Sequence, residues 1–284
     1  MTRRRATAPG GAGCPRQDPA RSTMGLIGFG AFGQLIARHL AAHFDLVAYD
    51  PAPECRERAL GLGVTPADLE TAARSDVVVL AAPVASLERI VREIAPVCRP
   101  GALVIDVASV KLWPVEVMRN TLPDHVRIIA THPLFGPESA GDGIAGLKIA
   151  VCPVRGPHHY LVSFLRERLQ LEVIETTAEA HDREAATVQG LTHLIAKLLS
   201  DMGPLPTRLT TPSFDLLVKA IAMVREDSPE VFEAIETMNP YAQAVRHEFL
   251  DRAAQFDRSL RTETDLPQAR SRQPLHYQRK DPVT

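Results

Sequence analysis

Short apolar runs recur along the first two-thirds of the chain, at residues 24–28, 46–49, 77–82, 102–107, 126–130 and 148–151. Runs this short, rich in Val, Ile and Leu, predict strands buried on both faces. The amphipathic stretches between and after them, among them 32–43, 86–95 and 159–169, predict helices, and the alternation is that of βαβ units around a mostly parallel sheet. From about Glu179 the strand signals stop. A helical run over 180–202 is broken only by Gly190 and is ended by Gly203-Pro204-Leu205-Pro206; two more helices fit 214–225 and 229–254, the second bent near Pro240. The expected fold class is α/β: a Rossmann-type, doubly wound sheet over 24–177 followed by an all-helical domain over 178–256. Apolar-faced helices with little sheet to cover are expected to pack on a second copy, giving a homodimer. Residues 1–23 and 257–284 are poor in large apolar side chains and are expected to be disordered tails.

Composition narrows the function classes. Lys and Arg number 32 against 34 Asp and Glu, a net charge of -2, and the arginines are scattered, so no electrostatic footprint for nucleic acid is present. Cys14, Cys55, Cys98 and Cys152 show neither a C-x-x-C pair nor metal-ligand spacing, which predicts free thiols and no metal. No apolar run is long enough to span a bilayer, and Arg3, Arg4 and Arg5 are not followed by an apolar stretch. The expectation is a cytoplasmic protein acting on a small molecule, without membrane or nucleic-acid partners.

A dinucleotide site follows from two features. Gly28-Phe29-Gly30-Ala31-Phe32-Gly33 sits between the first strand and the first helix, the context that makes a G-x-G-x-x-G run informative. Gly28 allows the tight turn, Gly30 lets backbone approach a pyrophosphate, Gly33 lets helix and strand pack, and the helix N-terminus offers unpaired N–H groups. Asp50 ends the second strand about 20 residues on, where an acid accepts hydrogen bonds from ribose hydroxyls. Its charge would repel a 2′-phosphate, so NAD is expected over NADP, although Arg56 and Arg58 lie nearby.

Asp106-Val107-Ala108-Ser109-Val110-Lys111 closes the fourth apolar run, and the fifth leads into Thr131-His132-Pro133-Leu134-Phe135-Gly136-Pro137-Glu138-Ser139, a histidine in a Pro/Gly-rich loop. Both fall at strand ends, on the sheet edge of the glycine loop. No G-x-S-x-G elbow is present, and a histidine beside a nicotinamide site can take the proton of an alcohol as its hydride leaves.

These segments, with the later His181-Asp182, resemble the prephenate and arogenate dehydrogenases of tyrosine biosynthesis over about residues 24–256. The resemblance implies oxidative decarboxylation of a cyclohexadienyl acid, driven by aromatisation. It implies His132 as the residue that takes the ring hydroxyl proton and Ser109 as the one that positions it. Lys111 is a substrate-binding candidate, equally readable as a helix-start charge exposed to water. His193 matches a family histidine that faces the substrate, and Gln189 shares its helix face. Lys197 continues that row, so a wet stripe explains it equally well.

The match departs at two positions. Gly190 stands where many prephenate-type members carry a second histidine, and Asp215 where several place an arginine for the side-chain carboxylate. An aspartate would repel that carboxylate. Arogenate, which carries an ammonium there, is therefore favoured over prephenate, with Arg225 or Arg246 as alternative cations. Two other readings stay open: a dehydrogenase for an amino-substituted prephenate, and a non-catalytic dinucleotide-sensing dimer. Asn239-Pro240 reads as an ordinary turn opener, and Trp113 as a packing residue.

Overall fold

The structure, a computed structural model, describes residues 21–225 and 227–262. The chain begins with β1 (Thr23–Ile27), α1 (Ala31–Leu40), β2 (Asp45–Tyr49), α2 (Pro53–Gly61), β3 (Thr65–Pro66), α3 (Leu69–Ala73) and β4 (Val77–Leu80). It continues through α4 (Leu87–Ile94), β5 (Leu103–Asp106), α5 (Leu112–Thr121), β6 (Arg127–Pro133), β7 (Lys148–Arg155), α6 (His159–Glu167) and β8 (Glu172–Glu175). One eight-stranded sheet results, in the order β3-β2-β1-β4-β5-β6-β7-β8. Every pair is parallel except β6 with β7. The chain leaves β1 towards β2 on one side and returns to β4 on the other, and such a reversal of strand order opens a crevice at the carboxyl ends of the strands.

The buried faces account for the apolar runs. Val78, Leu80, Val104 and Ile128 pack with Val91, Ile94 and Met118 of α4 and α5, while Ile105, Ile129 and Val151 pack with Leu35 of α1 and Leu165 of α6. Each such side chain contributes about 1.5–3 kcal/mol when fully buried. All six expected strands are present. The sequence reading passes over β3, which is two residues long, and β8, an edge strand with glutamates at both ends and no fully buried position. It also stops the fifth strand too early. β7 folds back antiparallel and keeps pairing beyond Ala130, so His132 lies within β6, opposite Ala150, and not in a loop.

The helical segment contains α7 (Ala178–Ala185), a π-helical turn at Ala186–Gly190, α8 (Leu191–Asp201), α9 (Pro212–Arg225), α10 (Pro229–Glu233), a second π turn at Ala234–Met238, and α11 (Ala242–Thr262). The expected helix over 180–202 is thus three pieces in one continuous rod, widened ahead of Leu191. α11 passes the expected boundary at 256. Its exposed end needs no core, because ion pairs such as Arg252–Glu248 and Arg261–Asp257 support it at i,i+4 spacing. The remaining positions of the expected tails, 1–20 and 263–284, lie outside the described residues. Among the described residues, no helix is long and apolar enough to cross a membrane.

Trp113 ties the two segments together. Its half-buried ring packs on the cluster formed by Val84 and Val110 of the sheet domain and Ala234 of the second π turn, as does Met238. Asn239 does the same through polar atoms: its Nδ2–H donates to the carbonyl of Asp182 (2.8 Å), and its Oδ1 accepts from the Tyr241 N–H (3.0 Å). The turn opener of the sequence is also a buried clamp.

Candidate active site

The glycine loop leaves β1 at the crevice. Gly28 has φ +101°, and a Cβ there would lie 2.5 Å from the backbone of Ala81. At Gly33 a Cβ would meet the Gly28 carbonyl at 2.3 Å, so helix and loop can touch only without a side chain. Gly30 is different: a Cβ would meet nothing within 4 Å. The space beside it is an open cradle at the N-terminus of α1, where no side chain caps the first-turn N–H groups. Ala31 and Phe32 form that first turn, and the Phe32 ring packs against Phe135 at 6.4 Å, bringing the cradle up to the loop after β6.

Asp50 holds the loop from the side. Its Oδ2 accepts the Phe29 N–H (2.7 Å) and its Oδ1 the Ala52 N–H (2.9 Å). It lines a 160 Å³ cavity with Phe29, Ala52, Arg56 and Pro66. A diphosphate at the helix N-terminus and a nucleoside in that cavity suit this donor and acceptor set.

Beyond β5 and β6 lies the second cluster. His132 is buried, and its Nδ1 is 2.9 Å from Nε2 of His181. His181 Nδ1 is in turn 2.8 Å from Oδ1 of Asp182. The backbone N–H groups of Lys111 and Leu112 donate to the two Asp182 oxygens at 2.7 and 2.9 Å, so this carboxylate also caps α5. Burial, followed by the charges of His181 and Lys111, pushes the His132 imidazole well below its ordinary 6.5. His132 is therefore neutral at physiological pH, the form that accepts a proton.

On the other side of His132 stands the helical segment. Gln189 Nε2 is 3.5 Å from His132 Nε2, a distance longer than a good hydrogen bond. His193 is buried; its Nδ1–H donates to the Gln189 carbonyl (2.9 Å), and its Nε2 is 3.1 Å from Oδ2 of Asp227. Burial opposes a charge on His193, but the hydrogen bonds to Asp227 and Gln189 and the charges of Asp227 and Glu236 outweigh it and raise its pKa. Glu236 is buried beside Gly190: a Cβ on that glycine would lie 3.8 Å from Glu236 Oε1, which has no partner. Its other oxygen pairs with Arg246. Gln189 Oε1 is likewise buried and unpartnered.

The candidates thus separate. His132 and Gln189 meet, His193 lies one turn further along the same helix, and the wet-stripe reading of His193 is excluded by its burial. Lys111 is not exposed to water, as a helix-start charge would be. It is fully buried in an ion pair with Asp106, and its ammonium also donates to the Thr131 carbonyl at 2.6 Å. Ser109 is half-buried at the carboxyl end of β5, and its hydroxyl makes no hydrogen bond among the described residues; His132 is held by His181 instead. Asp215 is exposed in the first turn of α9, and the acids beside His193 and Gly190 are Asp227 and Glu236. Arg246 is committed to Glu236. Asp227 and Glu236 carry no sequence signal, since each reaches the site only through helix packing. Among the described residues, Cys55, Cys98 and Cys152 are free and buried, and no group of three metal-binding side chains occurs.

A sheet with its glycine loop at the reversal of strand order and a neutral buried histidine facing a helical segment defines a Rossmann-type dinucleotide-binding protein. Residues 36–147 match the family described as prephenate dehydrogenase, nucleotide-binding domain. A probable arogenate/prephenate dehydrogenase of Methanocaldococcus jannaschii is 27% identical over 215 residues, 70% of this chain and 47% of that protein. Arogenate dehydrogenase 2, chloroplastic, of Arabidopsis thaliana is 30% identical over 230 residues, 76% of this chain and 64% of that protein. These matches support the prephenate/arogenate dehydrogenase family for this chain, which spans less than two-thirds of the length of these curated relatives. In fold it is similar to the prephenate dehydrogenase of A. aeolicus solved with hydroxyphenyl propionate and NAD+, with 21% identity, a TM-score of 0.70, and coverage of 87% of this chain and 93% of that one.

Proposed function

We propose that the protein catalyses the dinucleotide-dependent oxidative decarboxylation of a cyclohexadienyl acid, with arogenate favoured over prephenate. The observation that carries this reading is the pairing of the open Gly30 cradle with a buried, neutral His132 at the same sheet edge. Gly28, Gly30, Gly33, the first-turn N–H groups of α1 and Asp50 would hold the dinucleotide. Bound there, it supplies the hydride acceptor. NAD is favoured over NADP because the Asp50 carboxylate stands where a 2′-phosphate would be repelled, and both of its oxygens are already fixed by backbone donors.

His132 takes the ring hydroxyl proton at Nε2 as the hydride leaves the same carbon. Carbon dioxide departs from the opposite ring carbon, and the two bonding electrons complete the aromatic ring. Gln189, whose amide faces Nε2 of His132, orients the hydroxyl. Burial of the cluster keeps water from competing for that proton.

The preference for arogenate is supported by charge. Asp227, which is half-buried, and the unpartnered Oε1 of the buried Glu236 lie beside His193 and Gly190, and two acids there favour a side-chain ammonium over a lone carboxylate. Asp215, exposed on α9, is not among these acids. An amine on the ring itself, as in an amino-substituted prephenate, would instead need its acceptor at Gln189 Oε1, also unpartnered.

A homodimer is part of the proposal, since the helical segment exposes Met202, Leu209, Leu216, Met223 and Phe256. The test of function is the rate of reduced-cofactor formation with prephenate and L-arogenate, each with NAD and with NADP. Turnover of arogenate with NAD is expected. Turnover of prephenate alone would overturn the charge argument, and absence of turnover with cofactor binding intact would favour a modified substrate or a sensor.

A further inference from the structure

The row His132, His181, Asp182 admits one arrangement of protons when each ring carries one. Both oxygens of Asp182 are acceptors, since Lys111 N–H and Leu112 N–H donate to them. The His181 nitrogen 2.8 Å from Oδ1, Nδ1, must therefore carry hydrogen. That leaves Nε2 of His181 bare, and 2.9 Å away it can only accept. The hydrogen between the rings must then sit on Nδ1 of His132, and the remaining nitrogen, Nε2, is the one left with a free lone pair. His181 is itself buried, with its ring edge-on to His132 at 5.0 Å and 67°.

We propose that His181, oriented by Asp182, is a positioning residue that fixes the Nδ1–H tautomer of His132 and so aims its bare Nε2 at the substrate hydroxyl. This rests on the reading of His132 as proton acceptor given above. Without the row, an imidazole in water prefers the opposite tautomer, which would present an N–H to the hydroxyl and accept nothing from it. The row also serves after the transfer. When Nε2 receives the proton, the new charge on His132 is shared through Nδ1–H to His181 and faces the Asp182 carboxylate at the far end. Of the other charged groups packed on the cluster, Lys111 is ion-paired with Asp106, yet its positive charge still opposes a proton on His132. Asp182 carries a second duty as the cap of α5, so its removal would mix two effects, and His181 is the position to test.

The experiment uses long-range 15N–1H correlation of the full chain labelled at histidine, with the His132 signals assigned by their loss in His132→Asn. In the unsubstituted protein His132 is expected to show a protonated Nδ1 and a bare Nε2. This readout needs no substrate, so it stands or falls apart from the proposed reaction. In His181→Ala the tautomer is expected to revert or average and kcat to fall by about 10²–10⁴-fold, the range for a misdirected catalytic histidine, with the KM for NAD within threefold. His181→Gln can set an amide oxygen near the former Nε2, and is expected to restore the tautomer and at least tenfold of kcat. An Nε2–H form of His132 in the unsubstituted protein would overturn the proposal. So would a kcat within threefold in His181→Ala, or a glutamine variant no better than alanine.

Discussion

Replacing Lys111 with methionine separates a structural lysine from a substrate-binding one. The side chain is fully buried, as is its partner Asp106, and the ammonium also holds the Thr131 carbonyl one residue before His132. In Lys111→Met the Asp106 carboxylate keeps only the Ala108 N–H, at 3.1 Å to Oδ2, since Oδ1 has no partner even in the intact protein. Leaving one member of a buried pair uncompensated costs about 3–5 kcal/mol. For a chain of this size that is about 6–20 °C in Tm. Removing both charges, in Lys111→Met/Asp106→Asn, relieves the buried carboxylate and should recover at least half of the loss, because an ion pair of this kind contributes little over a neutral one. Denaturant unfolding of the three proteins at pH 7 gives the comparison directly. A single variant within about 1 kcal/mol of the original protein, accompanied by a raised substrate KM, would refute the buried-pair argument and return Lys111 to the substrate site.

His132→Asn should lower kcat by about 10²–10⁴-fold while dinucleotide affinity, measured by titration calorimetry, stays within threefold. Because burial and the neighbouring charges hold His132 well below 6.5, kcat should be flat through neutral pH and fall only below that value; a limb centred at 7 or above would contradict the environment described. His193 shifts the other way: its raised pKa contributes stability that is present below 6.5 and is lost as pH rises through the folded-state value, and Asp227→Asn should remove that dependence in melts run from pH 5 to 9. Gly33→Ala should destabilise or unfold the nucleotide domain, since its Cβ would lie 2.3 Å from a carbonyl, whereas Gly30→Ala should fold normally and lose dinucleotide affinity at least tenfold; equal behaviour in calorimetry would argue against the cradle.

Periodicity alone was enough for the α/β order of elements, because buried parallel strands must be short and apolar and the helices between them must be one-sided. The glycine loop and Asp50 were also legible in the chain, since their job depends on local backbone conformation: a positive φ at Gly28, a missing Cβ at Gly33, an acid at the end of β2. His132 and His181-Asp182 could be picked out as motifs, but not their relation. They are 49 residues apart, and only the docking of α7 against β6 and the start of α5 brings the rings to 2.9 Å. The fate of Lys111 was hidden for the same reason. A lysine at the start of a helix is ordinarily wet, and what buries it is Asp106, the last residue of β5, together with the Thr131 carbonyl of the neighbouring strand. Asp227, Glu236 and the two π turns were wholly a matter of tertiary structure. Charge near a ligand depends on which helix faces packing presents, and no local pattern records that choice; the sequence supplied the acids, and the packing of α8 to α11 decided which of them stand beside His193 and Gly190.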